Sequence, residues 1–213
     1  MDSLIKYNCI FGGGGVRGLC YVGALKALQE CHVQIDSVAG SSVGAVFASL
    51  YAVGYSYKEI EELFFDFNFN MFRDININIF DNDLSLSKGE IFLDWLREKF
   101  EKKVFGENSN GKKVTFKDIQ KDLQILALDI SSNTPYIFSK TTSPDEEIAM
   151  AVRISAGMPG LMKPINIEDS VLVDGDLIKS RPAWKVFKNF NTSEKRVLEF
   201  RLEGSKRGAT IKN

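Results

Sequence analysis

Histidine occurs once in this 213-residue sequence, cysteine three times and proline five times, and the formal net charge is −1. Each scarcity removes a class of function. A lone histidine, His32, leaves too few imidazoles for a zinc site of the usual Cys/His kind. Cysteines 9, 20 and 31 form an odd set without close pairing, so no disulfide framework is expected. They read instead as three buried thiols in a reducing compartment. A net charge near zero supplies no global field for nucleic acid or an anionic lipid surface. The lysine pairs at 102–103 and 112–113 read as solvated edges rather than binding patches. The longest apolar stretch, Val43 to Gly54, falls short of the roughly 20 residues that a bilayer crossing requires. The opening MDSLIKYNCIF lacks the charged-then-apolar pattern of a signal peptide. The expectation is a cytoplasmic protein that meets membranes, if at all, from the side.

The length allows one domain with a real core, and 44% hydrophobic with 26% charged residues is the composition of a soluble globular chain. Tyr7 to Phe11 reads as a buried strand that runs into four glycines, Gly12 to Gly15. Val16 to Glu30 carries helical spacing in Leu19, Val22, Leu25 and Leu28. Ile35 to Ala39 is a second strand, ended by Gly40-Ser41-Ser42-Val43-Gly44, and Ala45 to Tyr51 a buried helix. Strand, glycine turn, helix, strand, tight turn, helix is the order of a parallel α/β sheet.

Further along, Tyr57 to Phe67 reads as a helix and Phe65 to Ile79 as irregular. Ser87-Lys88-Gly89-Glu90 reads as a capping box that opens another helix. Leu123 to Ile130 and Tyr136 to Ser139 read as paired strands. Ser143-Pro144, followed by three acids, reads as the start of a helix running to Ser155. Ile165–Ile167 with Val171–Val173 suggests a hairpin, and Arg196 to Leu202 a last strand.

Gly40-x-Ser42-x-Gly44 is the nucleophile-elbow pattern, in which a serine sits on a sharp strand-to-helix turn and flanking side chains would collide with neighbouring segments. The glycine run Gly13-Gly14-Gly15-Val16-Arg17-Gly18 fits two chemistries. One is the dinucleotide fingerprint. The other is an oxyanion hole of bare N–H groups. The dinucleotide reading needs an acid at the end of the second strand, yet Asp36 lies at its start and Gly40 and Ser42 occupy the end. The oxyanion hole is therefore favoured. Arg17 either positions a phosphate head group or, as such residues more often do, fixes the loop through a local salt bridge.

A serine nucleophile needs a base. His32 follows the first helix and so belongs at the opposite end of the sheet, about 20 Å from Ser42 along the second strand. The base is then another group. Asp174 ends the apolar run Val171 to Val173 and precedes Gly175. It fits the role, and equally fits a turn aspartate that only bonds local backbone.

GGGVRG at 13–18, GSSVG at 40–44 and VDGD at 173–176, with RISAGMPGLMKP at 153–164 before the last, together resemble the signature blocks of the patatin-like phospholipases. The resemblance spans residues 8 to 182. It implies a single domain over 1–213 with a three-layer α/β/α fold and a mostly parallel central sheet. It implies a Ser42–Asp174 dyad, with Gly13, Gly14 and Gly15 as oxyanion hole and Arg17, Gly18, Gly40, Gly44 and Gly175 in support. Phospholipid, lysophospholipid or neutral-lipid esters are the implied substrates, with no metal and no cofactor.

Two departures stand out. Asp176 replaces the Gly or Ala usual at the third position of the aspartate block, and Arg181-Pro182 stands where Asn-Pro is frequent. Asp176 motivates a second reading, a weak or inactive lipid-binding module; a nucleotide-dependent α/β enzyme is a minor third. Phe64, Phe65, Phe67, Phe69, Phe72 and Phe80 read first as core, and otherwise as an acyl groove or a membrane-dipping surface.

Overall fold

The computed structural model describes residues 6–65, 87–107, 109–178, 187 and 196–203. The apolar segment before the glycines forms β1 (Lys6–Phe11), and β2 (Gln34–Ser41) lies parallel to it, with α1 (Cys20–Glu30) as the crossover. Parallel neighbours require such a crossover, because a tight turn reverses the chain. Helix α2 (Val43–Ala52) leaves β2 and is buried along almost its whole length. There follow α3 (Tyr57–Phe65), α4 (Glu90–Phe105), β3 (Asp122–Asp129), β4 (Thr134–Ser139), α5 (Ile148–Ser155), β5 (Ile165–Ile167), β6 (Ser170–Asp174) and β7 (Arg196–Phe200).

The strands form one sheet in the order β5-β6-β3-β2-β1-β7, with β4 also paired to β3. The architecture is α/β, a central sheet flanked by helices. β7, β1, β2 and β3 run parallel, and hairpins build the other half, with β4 and β6 antiparallel to β3 and β5 antiparallel to β6. Side chains alternate between faces. Cys9, Phe11, Val38, Ile125 and Ala127 enter the main core with α2, α4 and α5, whereas Ile10, Ala39 and Leu126 meet Phe187 on the other face. Burial on both faces is why these strands read as continuous apolar runs.

One edge of β3 positions the site. β2 pairs along it as far as Ser41↔Leu126, and β6 takes over with Asp174↔Ala127. β2 is parallel and β6 antiparallel to β3, so their C-terminal ends meet head to head. The register alone therefore brings Ser42 and Asp174 side by side.

Four local expectations need correction. The first helix begins as a 3-10 turn, Gly15–Leu19, and becomes α-helical only at Cys20. The helix expected from Pro144 starts at Ile148. A bridge between Thr115 and Glu147, with Lys117 N–H donating to the Pro144 carbonyl, holds the preceding residues out of helical geometry. Glu147 is also gripped by Arg97, whose Nε donates to its Oε1 at 2.7 Å. At α4 the cap is Gly89, with φ +72°, and the Ser87 hydroxyl accepts from the Gly89 N–H instead of capping the helix. Finally, only Cys9 is buried; Cys20 and Cys31, on the outward side and at the end of α1, are exposed. The irregular stretch expected up to Ile79 lies, beyond Phe65, outside the described residues, as do Arg181 and Pro182. Among the described residues no helix is long and apolar enough to cross a membrane.

Candidate active site

Ser42 sits at the junction of β2 and α2 with φ 53° and ψ −131°. Side chains rarely adopt this backbone, which costs about 1–3 kcal/mol and persists only where its surroundings enforce it. Two glycines do so by permitting close approach. A Cβ on Gly44 would lie 2.0 Å from the Phe11 carbonyl oxygen, and one on Gly40 would lie 2.3 Å from that of Gly44. A third restraint comes from α5. The Ser42 N–H donates to Ser155 Oγ at 3.0 Å, and Ser155 Oγ donates in turn to the Leu126 carbonyl at 2.6 Å.

The Ser42 hydroxyl donates to Asp174 Oδ2 at 2.8 Å. Asp174 is 1% exposed and Ser42 8%. The other carboxylate oxygen, Oδ1, accepts the Asp176 N–H at 2.8 Å, and Asp174 N–H donates to the Gly157 carbonyl at 3.0 Å. Both oxygens are thereby fixed. Burial pushes the Asp174 carboxyl up to about 6, the Asp176 charge adding to it, while the bonds from Asp176 N–H and Ser42 pull it back. Gly175 is needed at the next position, because a Cβ there would meet the Leu126 carbonyl oxygen at 2.1 Å.

The glycine loop lies against the same elbow. A Cβ on Gly18 would strike the Val43 side chain at 2.4 Å. Gly15 takes φ +60°, the left-handed region that favours glycine. Tyr21, wedged between Phe11 and Phe47, donates its hydroxyl to the Gly12 carbonyl at 2.7 Å. Arg17 Nε donates to the Gly14 carbonyl at 3.1 Å. It thus fixes its own loop, through a carbonyl rather than a salt bridge. Gly15 and Val43 each open a helix, so their N–H groups have no intrahelical acceptor. Neither they nor the Gly14 N–H donate to any acceptor among the described residues. The Gly13 N–H differs: it donates to Asp176 Oδ1 at 3.3 Å.

His32 precedes β2, at the end of that strand opposite Ser42. Asp36, near the same end, pairs with Lys6 at 3.7 Å. Of the phenylalanines, Phe64 stacks on Phe47 in the core and Phe65 is 88% exposed; Phe67, Phe69, Phe72 and Phe80 lie outside the described residues. Sequence reasoning missed Ser155, Gly157 and Tyr21. The first two fall in the 153–164 block, whose order hinted at a role without saying which. Tyr21 left no signal. Arg153 was also missed; it is buried and donates to the carbonyls of Lys88 and Lys163, tying α5 to the loops around it.

The arrangement is a hydroxyl on a strained turn, hydrogen-bonded to a buried carboxylate of raised basicity, beside backbone N–H groups at two helix starts that meet no acceptor among the described residues. That is the equipment for nucleophilic attack on a carbonyl carbon.

The family model described as patatin-like phospholipase matches residues 9–187. An uncharacterized protein of Acanthamoeba polyphaga mimivirus, R571, is 31% identical over 82% of this chain and 59% of its own length. A protein of Invertebrate iridescent virus 6 named probable lipid hydrolase 463L is 25% identical over 88% of this chain and 65% of its own. The chain thus spans about 60–65% of these relatives. Among solved structures, VipD from Legionella pneumophila superposes with a TM-score of 0.74 at 17% identity, over 91% of this chain and 49% of the other. At that identity the likeness concerns the fold.

Proposed function

Because the chain belongs to the patatin-like phospholipase family, we propose that it is a lipid acyl hydrolase working through a Ser42–Asp174 dyad. The observation that carries the reading is the 2.8 Å bond from Ser42 Oγ to Asp174 Oδ2. Ser42 Oγ attacks the acyl carbonyl carbon while its proton passes to Asp174 Oδ2. The Gly14 and Gly15 N–H groups, with that of Val43, receive the oxyanion. Collapse expels the alcohol, which takes the proton from Asp174 and leaves an acyl-serine. Asp174 then takes a proton from water, the hydroxide attacks the acyl-serine, and the proton returns to Ser42 as the fatty acid leaves. A buried carboxylate suits this role better than a solvated one, because burial raises its basicity toward working pH.

The substrates proposed are phospholipid, lysophospholipid and acylglycerol esters. Free fatty acid released from each, in step with the alcohol, is the direct assay; silence on all three and on a p-nitrophenyl ester would sink the reading.

The dyad also fixes a pH dependence. Asp174 must be ionised to accept the proton, and its carboxyl is pushed up to about 6. kcat/KM on a soluble p-nitrophenyl ester is therefore expected to be level above roughly pH 7 and to fall about tenfold per unit well below the folded pKa. An acid limb near the ordinary carboxylate range of about 4 would mean that a solvated carboxyl does the work.

A further inference from the structure

Among the described residues Asp176 makes two attachments. Its N–H donates to Asp174 Oδ1 at 2.8 Å, a bond that any residue but proline would make at this position. Its carboxylate accepts the Gly13 N–H at 3.3 Å, a bond that depends on the side chain. The contact is close enough that a Cβ on Gly13 would fall 2.3 Å from Asp176 Cγ. The two loops of the site are thus strapped together through an acidic side chain, and one N–H of the glycine run is already occupied by an anionic oxygen. The charge is felt along that run. Burial first, and the Asp176 charge second, hold the Tyr21 phenol well above its ordinary range, and this is the phenol that supports Gly12.

We propose that Asp176 is an inhibitory positioning residue: its carboxylate takes the Gly13 N–H and places negative charge beside the loop where the reaction develops negative charge. This rests on the acyl-hydrolase reading and deepens it. An oxyanion hole works by donors and positive dipoles aimed at the developing charge. A carboxylate among them opposes that charge and leaves the hole to Gly14, Gly15 and Val43. The site still reacts, but more slowly than the same dyad with an uncharged residue at 176. One effect runs the other way: removing the charge lowers the basicity of Asp174. It is a small effect, because the Asp176 charge stands last among the causes that set the Asp174 value, behind burial and the two hydrogen bonds. Among the described residues, the ionisable groups that bear on this corner include Asp174 on the same turn and, from the glycine-loop side, Tyr21, Cys20 and Arg17.

The test compares wild type with Asp176→Asn, which can keep an acceptor for the Gly13 N–H while losing the charge, and Asp176→Gly, which removes both. On a neutral p-nitrophenyl ester, Asp176→Asn is expected to raise kcat by roughly three- to tenfold with KM little changed, the modest size reflecting an exposed side chain. Its acid limb should move to lower pH, which a purely structural role would not produce. Asp176→Gly should be at least as fast. Thermal unfolding checks that each variant is folded, and if one is not, the other decides. An active wild type with folded variants at or below its rate overturns the inference and leaves the dyad standing. Silence of all three toward ester and fluorophosphonate probe overturns the dyad and the inference together.

Discussion

Replacing Ser42 is expected to abolish acyl transfer and, depending on the replacement, to separate catalysis from backbone strain. Ser42→Ala and Ser42→Gly both remove the only hydroxyl that donates to Asp174 Oδ2 among the described residues. Both should lose at least about four orders of magnitude in kcat, the scale seen when a nucleophile is deleted and only binding and oxyanion contacts remain. Their stabilities should differ. Position 42 holds φ 53° and ψ −131°, which alanine tolerates as poorly as serine and glycine tolerates freely. The strain is about 1–3 kcal/mol, part of it offset by the larger chain entropy of unfolded glycine. Ser42→Gly should therefore exceed Ser42→Ala by about 1 kcal/mol in urea unfolding. Equal stabilities would mean that the elbow stores no strain.

Asp174→Asn is expected to be inactive yet more stable than wild type at neutral pH. Asparagine can keep both contacts, its oxygen accepting from the Asp176 N–H and its amide donating to Ser42 Oγ, but it cannot take a proton. Asp174 rises from 3.8 to about 6 in the fold, so the folded state binds the proton more tightly than the unfolded state does. Stability is then greatest below about pH 4 and is lost as pH climbs through 6, because the buried group must ionise. Two units correspond to about 3 kcal/mol, an upper figure for the gain in the variant at pH 7. That gain should shrink as pH falls from about 6 toward 4. An Asp174→Asn protein less stable than wild type at every pH would show that the carboxylate is a structural anchor.

These two results would express one relation: the dyad is held in place at the expense of the fold. Serine on a glycine-like backbone and a carboxylate under the sheet edge would each lower stability, and each would serve the chemistry proposed for the site. The supports lie around them. Ser155 fixes the serine N–H, Gly157 the aspartate N–H, and the Leu126 carbonyl leaves room for no side chain at Gly175.

Much of this was legible in the sequence, for a physical reason. The strands β1, β2 and β3 are buried on both faces, so their apolar runs stand out whatever their neighbours. The glycines at 40, 44, 18 and 175 are forced by backbone or side-chain atoms within 2.4 Å of where a Cβ would be, and such crowding leaves no other residue type. The single histidine could be dismissed by counting strand lengths. What could not be read depends on contacts between distant residues. Ser155 lies 113 residues from the N–H it binds, and serine in an apolar helix looks the same whether or not it has such a partner. The start of α5 is set by the bridge from Thr115 to Glu147, which overrides the local Ser-Pro-acid signal. The shared edge of β3 is a fact of register, and register is absent from hydrophobic pattern once both faces are apolar. Asp176 could be seen as unusual, but its grip on Gly13 required the loops to be placed.

Whether Asp174 activates Ser42 is decided by covalent labelling. The protein is treated with a fluorophosphonate at pH 7 and the modified peptide located by mass spectrometry, for wild type and Asp174→Asn in parallel. Label is expected on Ser42 in wild type and almost none in the folded variant. Equal labelling of the two, or label on another residue, would contradict it.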